Sequence, residues 1–188
     1  RWIDKYSPKS VSEYIFQSDA QRTMVETIVK NKRFDNLLLY GHRGTGKTSL
    51  AMLIKNEIGI DDVDFLKINA SLEKGIDTIR NKVFNFASTL SMSWEYKVIL
   101  LDDGEALTPD AQRSLKSLMD DFGDSARFII TTNHVNRLSS ELRSRCLEIE
   151  YKAIDRDDMT IRFASILKKE KVKVDNIEFI DQLVESCY

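Results

Sequence analysis

Hydrophobic and polar positions follow two periods along this 188-residue chain, and the switches between them mark its elements. Five short apolar, β-prone runs occupy positions 36–40, 64–68, 97–101, 127–131 and 147–151. Between them lie helical patterns. One covers about 19–32 behind a possible cap at Ser18, and a second starts inside a glycine-rich loop and runs to about Glu57. A third, at about 76–90, sets Ile76, Ile79, Val83, Phe86, Ala87 and Leu90 on one stripe with the 3.6-residue spacing of a half-buried helix. The fourth opens with Thr108 as N-cap and Pro109 in the first turn, and turns Ala111, Leu115, Leu118, Met119 and Phe122 inward.

Strands alternating with helices predict an α/β fold, a parallel sheet covered by helices on both faces. The pattern changes after Tyr151. From there no strand is visible; Asp155 reads as the cap of a helix over about 156–170 and Asp175 as the cap of another from about 176. Residues 1–152 are therefore expected to form the core and 153–188 the beginning of a small helical lid domain, joined by a short hinge near 151–155.

Composition changes this picture little. Hydrophobic residues make up 42% of the chain and charged residues 31%, as in an ordinary globular domain. A net charge of −2 gives no overall attraction to nucleic acid or anionic lipid, so any DNA contact needs a local patch. No apolar run approaches the roughly 20 residues of a membrane span, and no secretory leader is visible, so an intracellular protein with no membrane partner is expected. Cys146 and Cys187 lie too far apart for a metal motif and do not make a disulfide framework. A start at Arg1 and a stop at Tyr188 inside a helical pattern suggest a piece of something longer.

The candidate chemistry begins with GHRGTGKT at 41–48, set between an apolar strand and a helix. Gly41, Gly44, Thr45 and Gly46 allow backbone N–H groups to turn toward a phosphate at a helix N-terminus; Lys47 supplies charge, Thr48 a hydroxyl for Mg²⁺, and Ser49 follows in the first turn. VILLDD at 98–103 supplies an apolar strand ending in acid. Asp102 there needs a partner, and Mg²⁺ beside Thr48 is the natural one. Asp103 would then orient the attacking water. Because side chains alternate along an extended chain, Glu105 is expected to face the same way as Asp103 and is the second candidate for that task. A displacement of about 1 Å can cost on the order of a hundredfold in rate, so nucleotide binding is the firmer expectation and slow hydrolysis the weaker one. Asn133 follows the fourth strand, beside the γ-phosphate if that strand lies between the first and third. His42 and His134 are expected in loops, Lys116 and Asp120 as an i,i+4 surface pair, and Met92, Trp94 and Tyr96 as a cap on the core.

WIDKYSPKSVSEYI, GHRGTGKT, GIDTIRNKVFNFAST, VILLDD, TPDAQRSLKSLMD, RFIITTN and the SRC at 144–146, taken in order, resemble the AAA+ ATPases of the sliding-clamp-loader family. The likeness is to the replication factor C small subunits and, closest in style, to the large subunit of T4-type phage loaders. It implies a P-loop AAA+ domain with a five-stranded parallel sheet in the order 5-1-4-3-2. It also implies a ring or spiral of subunits that uses ATP and Mg²⁺ to open a sliding clamp and place it on primer-template DNA. By the same resemblance Arg145 matches the arginine finger that reaches the ATP of a neighbouring subunit. Tyr6, Ile15 and Phe16 fall in the segment near adenine, and Arg80 and Lys82 belong to the helix that tracks the DNA backbone. Ser7 stands where the family has a cation, and DDGE replaces a DEAD-like box. Two other functions stay open: a nucleotide-binding scaffold subunit that does not hydrolyse, and another AAA+ replication or repair ATPase such as a helicase loader or branch-migration motor. The implied location is the cytoplasm of a phage-infected bacterium, or the nucleus in a eukaryote.

Overall fold

The computed structural model describes residues 2–73, 75–153 and 155–172, together with 180, 182, 184 and 185. The strands are β1 (Leu37–Gly41), β2 (Phe65–Asn69), β3 (Lys97–Asp102), β4 (Ala126–Thr132) and β5 (Leu147–Tyr151). They are all parallel and lie in the order β2-β3-β4-β1-β5, which is the implied 5-1-4-3-2 order read from the other edge. Val98 to Leu101 of β3 are buried without alternation, as befits a strand with helices on both sides. On one face Leu38, Ile99 and Ile130 pack under α4 (Ile76–Ala87) and α5 (Pro109–Asp121), through Ile79, Val83 and Leu115. On the other, Leu37, Leu39 and Leu100 meet α2 (Asp19–Asn31) and α3 (Lys47–Ile58), through Val25, Leu50 and Leu53.

The helix starts follow the expected chemistry. Ser18 accepts from the Gln21 N–H and Thr108 from the Ala111 N–H, each satisfying a donor that the first turn leaves unpaired. One helix end differs from its pattern. α4 closes at Ala87 with Ser88 as its C-cap, so Leu90, expected on the buried stripe, is 90% exposed. Beyond it Trp94 stacks on Phe34 at 5.3 Å and Tyr96 is buried, as expected, but Met92 is 84% exposed and caps nothing.

The chain divides into two compact units, Pro8–Lys152 and a second built from Arg1–Ser7 and Ala153–Tyr188. The first seven residues, expected with the core, thus group with the C-terminal unit. The reason is local: Lys5 and Tyr6, at and just past α1 (Trp2–Lys5), each donate to Glu170 at 2.6 Å, at the end of α7 (Arg156–Lys169), the helix that comes after the one-turn α6 (Ser140–Arg143) and β5 in the chain. Asp155 caps α7 by accepting from the Asp157 N–H. The cap expected at Asp175 lies outside the described residues. Among the described residues no helix is long and apolar enough to cross a membrane.

Candidate nucleotide-binding site

The loop between β1 and α3 is shaped by close approaches that only glycine allows. Gly41 has φ 135°, and a Cβ there would stand 1.9 Å from the Tyr151 carbonyl oxygen of β5. Gly46, at φ 92°, caps α3, and its carbonyl accepts from the Tyr14 hydroxyl at 3.2 Å. Lys47 is buried and donates to the carbonyl oxygens of Gly41 and His42 at 2.8 and 2.6 Å. Burial lowers its pKa, against the pull of Glu105, Asp102 and Asp103. Thr45 ties the loop to itself by donating to the His42 carbonyl at 2.8 Å; Gly44 is exposed in the loop and Ser49 lies in the first turn of α3.

Asp102 closes β3, two strands from β1, yet Thr48 at the start of α3 reaches over β4 and donates to its Oδ1 at 2.8 Å. Thr131 of β4 donates to the same oxygen at 2.5 Å, and Lys67 lies 3.3 Å from Oδ2. Burial raises the Asp102 carboxyl, but the hydrogen bonds from Thr131 and Thr48 and the Lys67 charge outweigh it and hold it below its ordinary value. A hydroxyl and an ionised carboxylate side by side are the hard oxygen donors that suit Mg²⁺. Among the described residues no group of three or more His, Cys, Asp or Glu gathers to hold a metal.

The two carboxylates after Asp102 do not continue the alternation of the strand. Asp103 is left-handed, φ 58° and ψ 47°, a conformation that Asp adopts more readily than Glu because its short side chain can bond locally. Its Oδ2 accepts from Asn69 at 3.2 Å and Ser71 at 3.3 Å, both on the segment ending β2. Glu105 sits in a 3₁₀ turn and accepts the backbone N–H of Asn133 at 3.2 Å and its Nδ2 at 2.8 Å. Asp103, Glu105, Asn133, Ser71 and Arg137 line one cleft of about 760 Å³ that reaches Gly41. His42 and His134 are exposed, as expected of loop residues, and line the same cleft.

Arg145 precedes β5 and is half-buried. Its Nε and one terminal nitrogen donate to the two oxygens of Asp120 at 2.6 and 2.8 Å, and the other terminal nitrogen donates to the Glu141 carbonyl at 2.6 Å. Asp120 is thus the ion-pair partner of Arg145, whereas the sequence spacing paired it with Lys116. Asn36 donates to the Arg145 carbonyl at 3.2 Å while accepting from the Phe128 N–H, which fixes the Arg145 backbone to the start of β1 and to β4. Arg143 is taken by Glu148. Phe16 lies beside Tyr14 with ring centroids 4.9 Å apart, and Ile15 is exposed; Tyr6 belongs to the other unit. On α4, Lys82 pairs with Glu73 at 2.6 Å and Arg80 is exposed. Asn69, Ser71, Thr131 and Lys67 were not singled out by the sequence, and Asp120 only as the partner of Lys116. Only Asn69 and Ser71 had a local signal, polar residues just past a strand end on the edge where the phosphate loop opens.

A glycine loop carrying a lysine and a threonine into a helix, with a strand-end carboxylate bonded to that threonine, defines a P-loop nucleotide-binding α/β domain. The chain belongs to the ATPase family associated with various cellular activities, AAA, whose sequence profile matches residues 37–153. It is 36% identical over 177 residues to the replication factor C small subunit of Sulfurisphaera tokodaii, covering 93% of this chain and 54% of that protein. To replication factor C subunit 2 of Saccharomyces cerevisiae it is 34% identical over 189 residues, covering 93% of this chain and 53% of the relative. The chain spans about half the length of the curated relatives it matches. The solved structure of the Thermotoga maritima RuvB Holliday junction branch migration motor superposes with a TM-score of 0.74 at 20% identity, covering 95% of this chain and 59% of that one, which is a likeness of fold.

Proposed function

We propose that this chain is the nucleotide-hydrolysing part of a DNA polymerase clamp-loader subunit, using ATP to open a sliding clamp and set it on primer-template DNA inside the cell. The observation that carries the reading is the 2.8 Å hydrogen bond from Thr48 to Asp102, which joins the phosphate loop to the acidic strand. Relatedness to replication factor C small subunits over more than nine-tenths of this chain, together with the SRC at 144–146, supports a clamp loader over other AAA ATPases.

In this reading Lys47 exchanges the loop carbonyls for phosphate oxygens, which are charged and therefore stronger acceptors. Thr48 and Asp102 hold Mg²⁺, which when bound neutralises charge on the phosphates. Asp103 accepts a hydrogen from the attacking water, and Asn133 contacts the third phosphate. Ile15 and Phe16 flank the base. Arg145 acts on a neighbouring protomer's nucleotide, where a planar, permanently charged guanidinium suits charge spread over equatorial oxygens. Arg80 meets the DNA backbone, and Lys82 joins it once its pair with Glu73 opens.

The test uses the full-length protein in its assembly. Clamp and primer-template DNA should stimulate ATP turnover, Lys47→Ala should weaken nucleotide binding by about tenfold to a hundredfold, and Arg145→Ala should abolish the stimulation. Turnover that ignores clamp and DNA, or that survives Arg145→Ala intact, sinks the reading. The scaffold alternative draws on the shorter Asp103 side chain and its ties to Asn69 and Ser71. Asp103→Glu raising turnover from nothing would favour it.

A further inference from the structure

Glu105 carries a geometry that neither the metal site nor the water-activating role uses. The turn Gly104–Ala106 bends it away from Asp102 and under the end of β4. That close approach depends on Gly104, where a Cβ would stand 2.8 Å from Ile130 Cγ2. Both Glu105 oxygens then go to one residue: Oε2 accepts the Asn133 backbone N–H at 3.2 Å and Oε1 accepts its Nδ2 at 2.8 Å. Burial raises the Glu105 carboxyl, but Thr132 and Asn133 together hold it below its ordinary value. An ionised carboxylate only accepts, so the Asn133 amide has no freedom to flip. Its NH₂ must face Glu105, which turns Oδ1 and the second amide hydrogen elsewhere. Asn133 is half-buried and lines the cleft that also holds Asp103.

We propose that Glu105 is a positioning residue: it touches neither phosphate nor water, and acts by locking the Asn133 amide so that one defined pattern of carbonyl oxygen and N–H faces the cleft. The inference rests on the reading that the third phosphate lies beside Asn133. It also divides the labour between the two acids after Asp102, because Glu105 is committed to Asn133 and Asp103 alone is left for the water. Without Glu105 neither the Asn133 side chain nor its backbone N–H keeps its anchor, and the amide no longer presents a defined group to the third phosphate.

The test needs no turnover. Affinities of the full-length protein for a non-hydrolysable triphosphate analogue and for the diphosphate are measured with magnesium, by displacement of a fluorescent nucleotide, and their ratio reads the third phosphate alone. Asn133→Ala and Glu105→Ala should each lower the ratio about tenfold, the weight of a charge-assisted hydrogen bond. Glu105→Gln, which keeps one of the two acceptors and the size, should lower it less and melt within a few degrees of wild type. The double variant Glu105→Ala with Asn133→Ala should fall no further than Asn133→Ala alone, because one residue acts through the other. Multiplying losses, or a wild-type ratio in Glu105→Ala beside a reduced one in Asn133→Ala, overturns the proposal. A wild-type ratio in Asn133→Ala would instead remove Asn133 from the third phosphate, and Glu105's role would go with it.

Discussion

The two ends of this sheet treat carboxylates in opposite ways. At the amino end, Asp64 just before β2 and Lys97 at the start of β3 are 0% and 5% exposed and lie 2.7 Å apart. The other Asp64 oxygen accepts from the backbone N–H groups of Met92 and Ser93 and from the Ser93 hydroxyl, while Lys97 also donates to the Val63 carbonyl. Every strong partner there is protein. At the carboxyl end Asp102, Asp103 and Glu105 are only half-buried; hydroxyls and amides hold Asp103 and Glu105, and Asp102 is held by two hydroxyls and the more exposed Lys67. Asp103 and Glu105 also face a cleft, so neither is closed in by protein on every side. The amino end spends its charges on holding the 91–96 loop to the sheet; the carboxyl end leaves two of its carboxylates on an open cleft.

The largest effect should therefore follow from breaking the closed end. Asp64→Ala leaves a buried ammonium and several unpaired N–H groups, and should cost about 3–5 kcal/mol in urea denaturation, with nucleotide affinity of the folded fraction unchanged. The pH dependence has a definite sign. Burial raises the Asp64 carboxyl, but hydrogen bonds from Lys97, Ser93 and Met92 outweigh it and hold it well below the usual carboxylate range. A depressed folded-state value means that the stabilisation is complete above the unfolded value of about 4 and drains away as pH falls further. The gap between wild type and Asp64→Ala should thus be full at neutral pH and narrow below about pH 4. A gap that stays constant down to pH 2 would mean that the ion pair is not its source.

The same contrast explains what the sequence could and could not say. All five strands were legible to within about a residue, because a parallel strand covered on both faces is written as a short unbroken apolar word. The phosphate loop was legible because its backbone admits only glycine at Gly41 and Gly46. The acidic positions were harder. Alternation put Asp103 and Glu105 on one side of an extended chain, but the strand ends at Asp102, and a left-handed residue followed by a turn sends the two side chains to different strands. The partners were harder still. Asp120 meets Arg145 across 25 positions and Asn69 meets Asp103 across 34, and no local period encodes either. Lys116 was the nearer cation to Asp120 in sequence, but the geometry favours the fork of Arg145, which matches both carboxylate oxygens at once.

At the open end, removing a charge should cost little. Asp103→Asn keeps the shape, like Asp tolerates a left-handed backbone, and keeps an oxygen that can accept from Asn69 and Ser71. Stability in the same urea experiment should stay within about 1 kcal/mol of wild type, although turnover by the assembly should fall sharply. A loss as large as that of Asp64→Ala would show that the carboxyl end is built for stability after all, and would erase the distinction between the two ends.

The smallest effect is expected close to the closed end itself, and it sharpens what that end stabilises. Trp94 and Tyr96 of the segment that Asp64 fastens are packed, yet Met92 within it and Leu90 just before it are 84% and 90% exposed. Asp64 holds the Met92 backbone N–H, not its side chain, so the anchor and the exposed apolar surface are separate features of one loop. Truncating surface side chains that bury almost nothing changes stability by no more than about 0.5 kcal/mol. Leu90→Ser combined with Met92→Ser should leave the urea midpoint in place and, added to Asp64→Ala, should not deepen its loss. If the pair instead destabilises the protein by more than about 1 kcal/mol, these side chains are packed in solution and the loop is held by its apolar surface as well as by Asp64.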